Sequence, residues 1–264
     1  MAFIIFLVVL SALVIVHELG HFSVAKYFGI RVDEFGVGYP PRAKKLFHWK
    51  GTKFTLNYLP FGGFVKIFGE DPNAENIDSP ESFQSKNRAI QAAVLFAGVL
   101  YNFIFAWLLI FIVLVAGLSA PLEAVQSGAV SFFPAVVESL RISTVLTIET
   151  TQALGLFLFE VVSGNPDFST ITGPVGLVGL VGEVSLMGLG YLLTFTALIS
   201  INLCIINLLP FPALDGGRLL FVGIESVVRK KIPSRVFNLL NASGFALLIL
   251  LMVFVTIQDV RNLF

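Results

Sequence analysis

The chain has a single cysteine, Cys204, in 264 residues. That excludes a disulfide framework and leaves the compartment unreadable from cysteine. Cys204 lies in an apolar run and reads as structural. Charge is scarce as well: 13% of residues are charged, where ordinary globular domains run near about a quarter. The 17 basic residues balance the 17 acidic ones and form no stripe interleaved with aromatics, so nucleic acid is excluded as a partner. Histidine is rarer still, with three in all. What is plentiful is apolar sequence, 56% of the chain, at a mean hydropathy of +0.89. The lipid bilayer is therefore the expected environment.

A span needs roughly twenty apolar residues to cross a hydrocarbon core about 30 Å thick. Such runs occupy 1–28, 89–117, 186–209 and 236–258. The first lacks the basic start of a secretory signal and is expected to be retained. Residues 132–163 mix apolar side chains with Glu138, Arg141, Glu149 and several threonines, which suits an amphipathic helix in the interface or against the bundle. Residues 31–68 alternate partly between apolar and polar and are broken by Tyr39-Pro40-Pro41 and Phe61-Gly62-Gly63, which reads as a β-region. The expected fold is thus an α-helical polytopic membrane protein, one domain over 1–264. It has about four transmembrane helices, a membrane-associated β-sheet or reentrant loop after the first, and an additional amphipathic helix. Ten of the 17 Lys and Arg fall between Lys26 and Arg88, and Arg218, Arg229, Lys230, Lys231 and Arg235 follow the third span. By the positive-inside rule these regions are cytoplasmic and the N-terminus extracytoplasmic, in the inner (plasma) membrane.

Inside the first span stands His17-Glu18-Leu19-Gly20-His21, so two of the three histidines sit in one motif. Residues four apart share a helix face, so His17 and His21 can offer imidazole nitrogens to one metal. Glu18, one step round, can take a proton from a water held there. An ionisable group near the bilayer centre costs about 2.5–3.5 kcal/mol on insertion scales, so its default reading is a functional site facing the protein interior. A zinc protease needs a third protein ligand. Asp215, after the broken stretch Asn207 to Leu214 with its two prolines, is the candidate. The competing reading makes Asp215 the N-cap of a helix from Gly216 to Val228, and the residues alone leave both open. His48 reads as a surface residue.

His17-Glu18-x-x-His21 together with Asn207-x-x-Pro210-x-Pro212-x-Leu214-Asp215-Gly216 resembles the site-2 protease family, intramembrane zinc metalloproteases of peptidase family M50, close to the bacterial RseP-type regulators. The likeness extends over most of the chain. Phe35-Gly36-Val37-Gly38 and the segment from Phe54 to Lys66 resemble the family's membrane-reentrant β-loop. Gly98-x-x-x-Asn102 resembles its second-helix motif, and Gly173-Pro174-Val175-Gly176 the lead into the third core helix. The resemblance implies Zn2+ held by His17, His21 and Asp215, with Glu18 as catalytic base and no other cofactor. It implies substrate handling by Asn102, Asn207, Pro210, Pro212, Gly36 and Gly38, with the sheet taking an extended peptide by strand addition. For Asn102 and Asn207 the alternative is interhelical hydrogen bonding, worth about 0.6 kcal/mol on average.

One departure is large. RseP-type members carry one or two PDZ domains between the second and third core helices, and here residues 118–131 alone occupy that place. The protease is either naturally minimal or one from which that domain has been removed. The expected activity is that of a metalloendopeptidase cutting single-span membrane proteins near the cytoplasmic face, in regulated intramembrane proteolysis such as that of an anti-sigma factor or in clearing signal-peptide remnants. Its partners are that substrate and the bilayer, with the oligomeric state open. The rivals are an inactive scaffold of the same fold and a metal transporter. The complete motifs oppose the first, and the near absence of ionisable residues in the later spans opposes the second. The series Gly173, Gly176, Gly179 and Gly182 reads as close backbone packing or a hinge.

Overall fold

The computed structural model describes residues 1–71, 78–121, 129–164 and 172–262. Among them the elements run α1 (Ala2–Tyr27), β1 (Val32–Trp49), β2 (Thr52–Ile67), a 3-10 turn (Phe83–Ser85), α2 (Arg88–Ala116), α3 (Phe132–Val162), α4 (Pro174–Met187), α5 (Leu189–Leu208), α6 (Asp215–Val228) and α7 (Ser234–Asn262). Five of them, α1, α2, α3, α5 and α7, are long and apolar enough to cross a membrane. The protein is a multi-pass membrane protein with a small β-region. The sequence leads one to expect four such helices and sets 132–163 apart; by length and composition α3 qualifies as a fifth. Part of its polarity is satisfied within the helix. Arg141 pairs with Glu138 at 2.6 Å, and the hydroxyls of Ser143, Thr147 and Thr151 each donate to the carbonyl four residues earlier, which leaves those hydroxyl hydrogens with partners. The stretch 118–131, where the sequence places a short linker, lies partly outside the described residues.

The chain divides into two compact units, one comprising Leu7–Asn102 and Ile206–Phe245, the other Met1–Phe6, Phe103–Ile205 and Ala246–Phe264. In the first unit α1 ends in a full Schellman arrangement. Gly29 has φ +68, its N–H donates to Lys26, and Ile30 N–H donates to the Ala25 carbonyl at 2.8 Å. This turns the chain directly into β1. The start of α2 is capped by the Asn87 side chain, which accepts the Ile90 N–H at 2.8 Å as an N-cap should.

β1 and β2 are bent antiparallel partners that meet twice, so that Gly36 stands opposite both Phe64 and Thr55. The first half of β1 therefore lies between two segments of β2, and segment 63–67 forms one outer edge. Phe22 of α1 sits edge-on to Phe35 at 5.5 Å and Phe54 at 5.6 Å. With Ile30, Val32, Ile67, Val94 and Leu95 they form the apolar core that binds the sheet to α1 and α2. The far half of β1, from Tyr39 to Trp49, is exposed, His48 included.

In the second unit α2, α3 and α5 share a core of Leu109, Ile110, Val113, Leu114, Ala135, Ala197 and Ile201. α4 is a separate short helix preceding the third of the expected spans. Its start is held by Asp259 of α7, a carboxylate only 8% exposed. The two oxygens of Asp259 accept the N–H groups of Gly173 at 3.1 Å and Gly176 at 2.9 Å. Of the glycine series, Gly173 and Gly176 close on this carboxylate, Gly182 closes on Ala2, and Gly179 faces open space. Hydrogen bonds to charged groups are worth about 1.5–3 kcal/mol each. Asp259→Ala, which removes both, is expected to destabilise the protein by about 2–4 kcal/mol, read as a lowered midpoint of unfolding in detergent.

Candidate metal centre

The first unit brings three donor side chains together. His17 and His21 project from the same face of α1, and Asp215 stands in the first turn of α6. His17 Nε2 lies 2.9 Å and His21 Nε2 3.2 Å from Asp215 Oδ2, and the two Nε2 atoms are 3.2 Å apart. Among the described residues this is the one group of three or more His, Cys, Asp or Glu side chains placed to hold a metal. The imidazoles are buried, at 9% and 6% exposure. The N-cap of α6 is Leu214, without a side-chain hydrogen bond, so the carboxylate of Asp215 is not spent on capping and points to the histidines.

The turn that delivers Asp215 depends on its composition. α5 stops at Leu208, and the chain doubles back through Pro210 and Pro212 to start α6. A Cβ on Gly216 would collide with the carbonyls of Leu208 and Leu209, and one on Gly217 with that of Phe211. Ala213 adopts φ +76, and its N–H is held by the Asn241 side chain at 3.1 Å.

Tautomers follow from the outer nitrogens. His21 Nδ1 lies 2.8 Å from the Val94 carbonyl of α2. A carbonyl can only accept, so Nδ1 carries the hydrogen, and in the neutral ring Nε2 presents a lone pair. That lone pair faces another imidazole nitrogen and a carboxylate oxygen. Acceptors crowded in this way repel one another unless a cation lies among them; a shared proton serves one pair, a metal serves all three. The spacings of 2.9–3.2 Å approach the ~3.3 Å edge of a tetrahedron of nitrogen and oxygen ligands about 2.0 Å from zinc. The donor set therefore fits zinc, with a fourth position left for substrate or water. Burial alone would raise the Asp215 carboxyl, but the two imidazoles beside it hold it well below the usual carboxylate range, so it is the anion that faces the site.

Glu18 is partly buried beside the trio and faces the backbone N–H of Val65, on the outer β2 segment. Gly36 and Gly38 lie in the first half of β1. The Phe64 ring covers Gly36, and Gly38, at φ +76, approaches the Leu59 carbonyl. Asn57 donates to the carbonyls of Val37 and Gly38. Asn207 occupies the last turn of α5, and Pro210 and Pro212 the turn after it; these five residues stand outside the trio. Asn102, by contrast, is fully buried with its amide nitrogen 3.3 Å from His17 Nδ1.

Sequence reasoning passed over the supports of the site. Arg218 of α6 pairs with Glu70 after β2. Burial opposes its charge, yet Glu70 raises its hold on the proton above the ordinary value, so it remains a cation. Arg88 at the start of α2 pairs with Glu225 of α6 at 2.7 Å. Both ties fix α6, and thereby Asp215, to α2 and the sheet. The signal was present in the sequence only as the basic clusters used for orientation.

Residues 5–251 match the family model described as Peptidase family M50. A Clostridium perfringens protein named a zinc metalloprotease is 33% identical over 332 aligned positions, covering 96% of this chain and 97% of its own. A Campylobacter jejuni protein of the same naming is 28% identical, with 97% and 92% covered. Zinc metalloprotease RasP of Oceanobacillus iheyensis is 26% identical, with 98% of each covered. All three alignments are longer than the 264 residues of this chain, so these relatives carry residues without a counterpart here.

Proposed function

Because the chain belongs to peptidase family M50, the site-2 protease family, we propose that it is an intramembrane endopeptidase cutting single-span membrane proteins near the cytoplasmic face. That it is a metalloprotease whose cofactor is zinc follows from the family and its zinc metalloprotease relatives. The observation carrying the finer reading is the convergence of two imidazoles and a carboxylate, with Glu18 beside them, on a helix apolar enough to cross the bilayer. When bound between His17, His21 and Asp215, zinc supplies a Lewis acid that acidifies water and polarises a carbonyl oxygen. Glu18 takes the proton of the attacking water as the carbon–oxygen bond forms and hands it to the amine nitrogen as the peptide bond breaks.

A helical substrate hides its scissile carbonyl, so the site needs an extended peptide. The outer β2 segment, whose Val65 N–H reaches Glu18, supports strand addition along that edge. Gly36 and Gly38 shape the sheet beneath it, and Asn207 with Pro210 and Pro212 line the approach through the turn before Asp215. The Lys and Arg of 26–88 and 218–235 support a cytoplasmic site and an extracytoplasmic N-terminus in the inner membrane. Residues 118–131 are too few for a PDZ fold between α2 and α3, so the proposed activity does not include a PDZ filter on the substrate's outer part.

The test is cleavage of a panel of single-span substrates by the purified protein in vesicles, with product termini mapped. Cuts in the cytoplasmic third of the spans support the proposal. Capture of the spans without cutting by the zinc-loaded protein would favour a scaffold, and cleavage confined to soluble unfolded peptides would overturn the membrane-substrate reading.

A further inference from the structure

α2 presents three positions to the imidazoles at four-residue intervals. The Val94 carbonyl meets His21 Nδ1 at 2.8 Å, Gly98 leaves room for both rings, and Asn102 reaches His17 Nδ1 at 3.3 Å. Intervals of four keep residues on one helix face, so this stripe is a single cradle. Its two ends act on the two nitrogens that point away from Asp215.

For His21 the cradle is decisive, since a carbonyl keeps a hydrogen on Nδ1 and so leaves Nε2 the lone pair of the neutral ring. His17 Nε2 is aimed at the same point, 2.9 Å from Asp215 Oδ2 and 3.2 Å from His21 Nε2. It can donate a lone pair there only if its own hydrogen is on Nδ1, and that hydrogen then needs an acceptor. The amide of Asn102 is the group in place. Its oxygen and nitrogen exchange positions by a half-turn of the side chain, which sets the amide oxygen against Nδ1–H. We propose that Asn102 is a positioning residue for His17: its amide oxygen accepts the Nδ1 hydrogen, fixes the ring's tautomer and angle, and so turns Nε2 toward the metal. Asn102 then does for His17 what the backbone of Val94 does for His21. This rests on the reading of His17, His21 and Asp215 as the zinc site, and it gives Asn102 a task distinct from contact with substrate.

The experiment is zinc affinity of the full chain in detergent, measured by competition with a chromogenic chelator, for the unsubstituted protein, Asn102→Leu and Asn102→Asp, with thermal unfolding of each. Groups that orient metal ligands are worth ten- to a hundredfold in affinity, order of magnitude about 10–100. Asn102→Leu, similar in size but without an acceptor, is expected to lose that much. Asn102→Asp, which keeps an acceptor oxygen, is expected to stay within a few-fold. Cleavage by Asn102→Leu is expected to recover when zinc is raised above its weakened affinity, which a substrate contact would not allow. Zinc affinity in Asn102→Leu equal to that of the unsubstituted protein, or a cleavage defect that excess zinc leaves in place, overturns the proposal while the metal site stands. Failure of Asn102→Asp to restore affinity in a folded protein overturns it as well. No zinc binding by the unsubstituted protein would overturn the metal site itself.

Discussion

Glu18→Gln is expected to lower the turnover of a cleaved substrate by about 10²–10⁴-fold, the usual worth of a positioned general base, while zinc stays bound. The substitution keeps the size of the side chain and a carbonyl oxygen that can face the Val65 N–H. It removes only the ability to take a proton. His17, His21 and Asp215 are untouched, and their mutual spacing does not depend on Glu18. The measurement pairs a cleavage time course with zinc per chain. Undiminished cleavage would remove Glu18 from the chemistry, and loss of zinc with loss of cleavage would make its role architectural instead.

How much of this was legible in the sequence depends on how local each feature is. α1 could be read because fourteen uncharged residues, Phe3 to Val16, precede the motif, and the His17, Glu18, His21 spacing is a property of one helix. Asp215 joins them through tertiary packing, so the residues alone left its capping and ligand readings open. The structure gives the N-cap position to Leu214 and sets the Asp215 carboxylate against the two histidines. The β-region was visible as alternation, yet the double use of β1, with Gly36 opposite two different segments of β2, is a matter of register that no local pattern carries. α3 shows the limit from the other side. Its Glu, Arg, Ser and Thr set it apart when read one by one, whereas its length and overall composition suit a span, and in the helix Arg141 pairs with Glu138 while Ser143 and Thr147 donate to backbone carbonyls a turn earlier. Asp259 and the glycines it holds are far apart in the chain, so the glycine spacing could be noticed but its partner could not. Asn102 could be placed on the second helix, but its neighbour His17 is set by how closely α1 and α2 approach.

That approach makes Gly98 the position where one added carbon does most harm. A Cβ built there lies 2.5 Å from His21 Nε2 and 2.7 Å from His17 Cε1, well inside van der Waals contact. The rings cannot simply swing away, because His21 is held by the Val94 carbonyl and His17 lies against Asn102. A Cβ on Gly20 of α1 would itself strike the Ala97 carbonyl, so the helices touch backbone to backbone and no slack between them takes up the added carbon. Gly98→Ala raises intrinsic helix propensity by about 1 kcal/mol, which gives α2 a local gain that the site does not share. The expected result is a folded protein whose zinc affinity falls by at least about a hundredfold, beyond the loss of an orienting group alone, with cleavage lost at ordinary zinc levels. Gly98→Leu is expected to abolish both. Gly223→Ala, in α6 where a Cβ meets nothing within 4 Å, is the matched control and is expected to leave zinc and cleavage unchanged. Zinc content after dialysis against a chelator, read beside the unfolding temperature, decides the matter: full zinc retention in Gly98→Ala would mean that the cradle on α2 does not set the spacing of the two histidines.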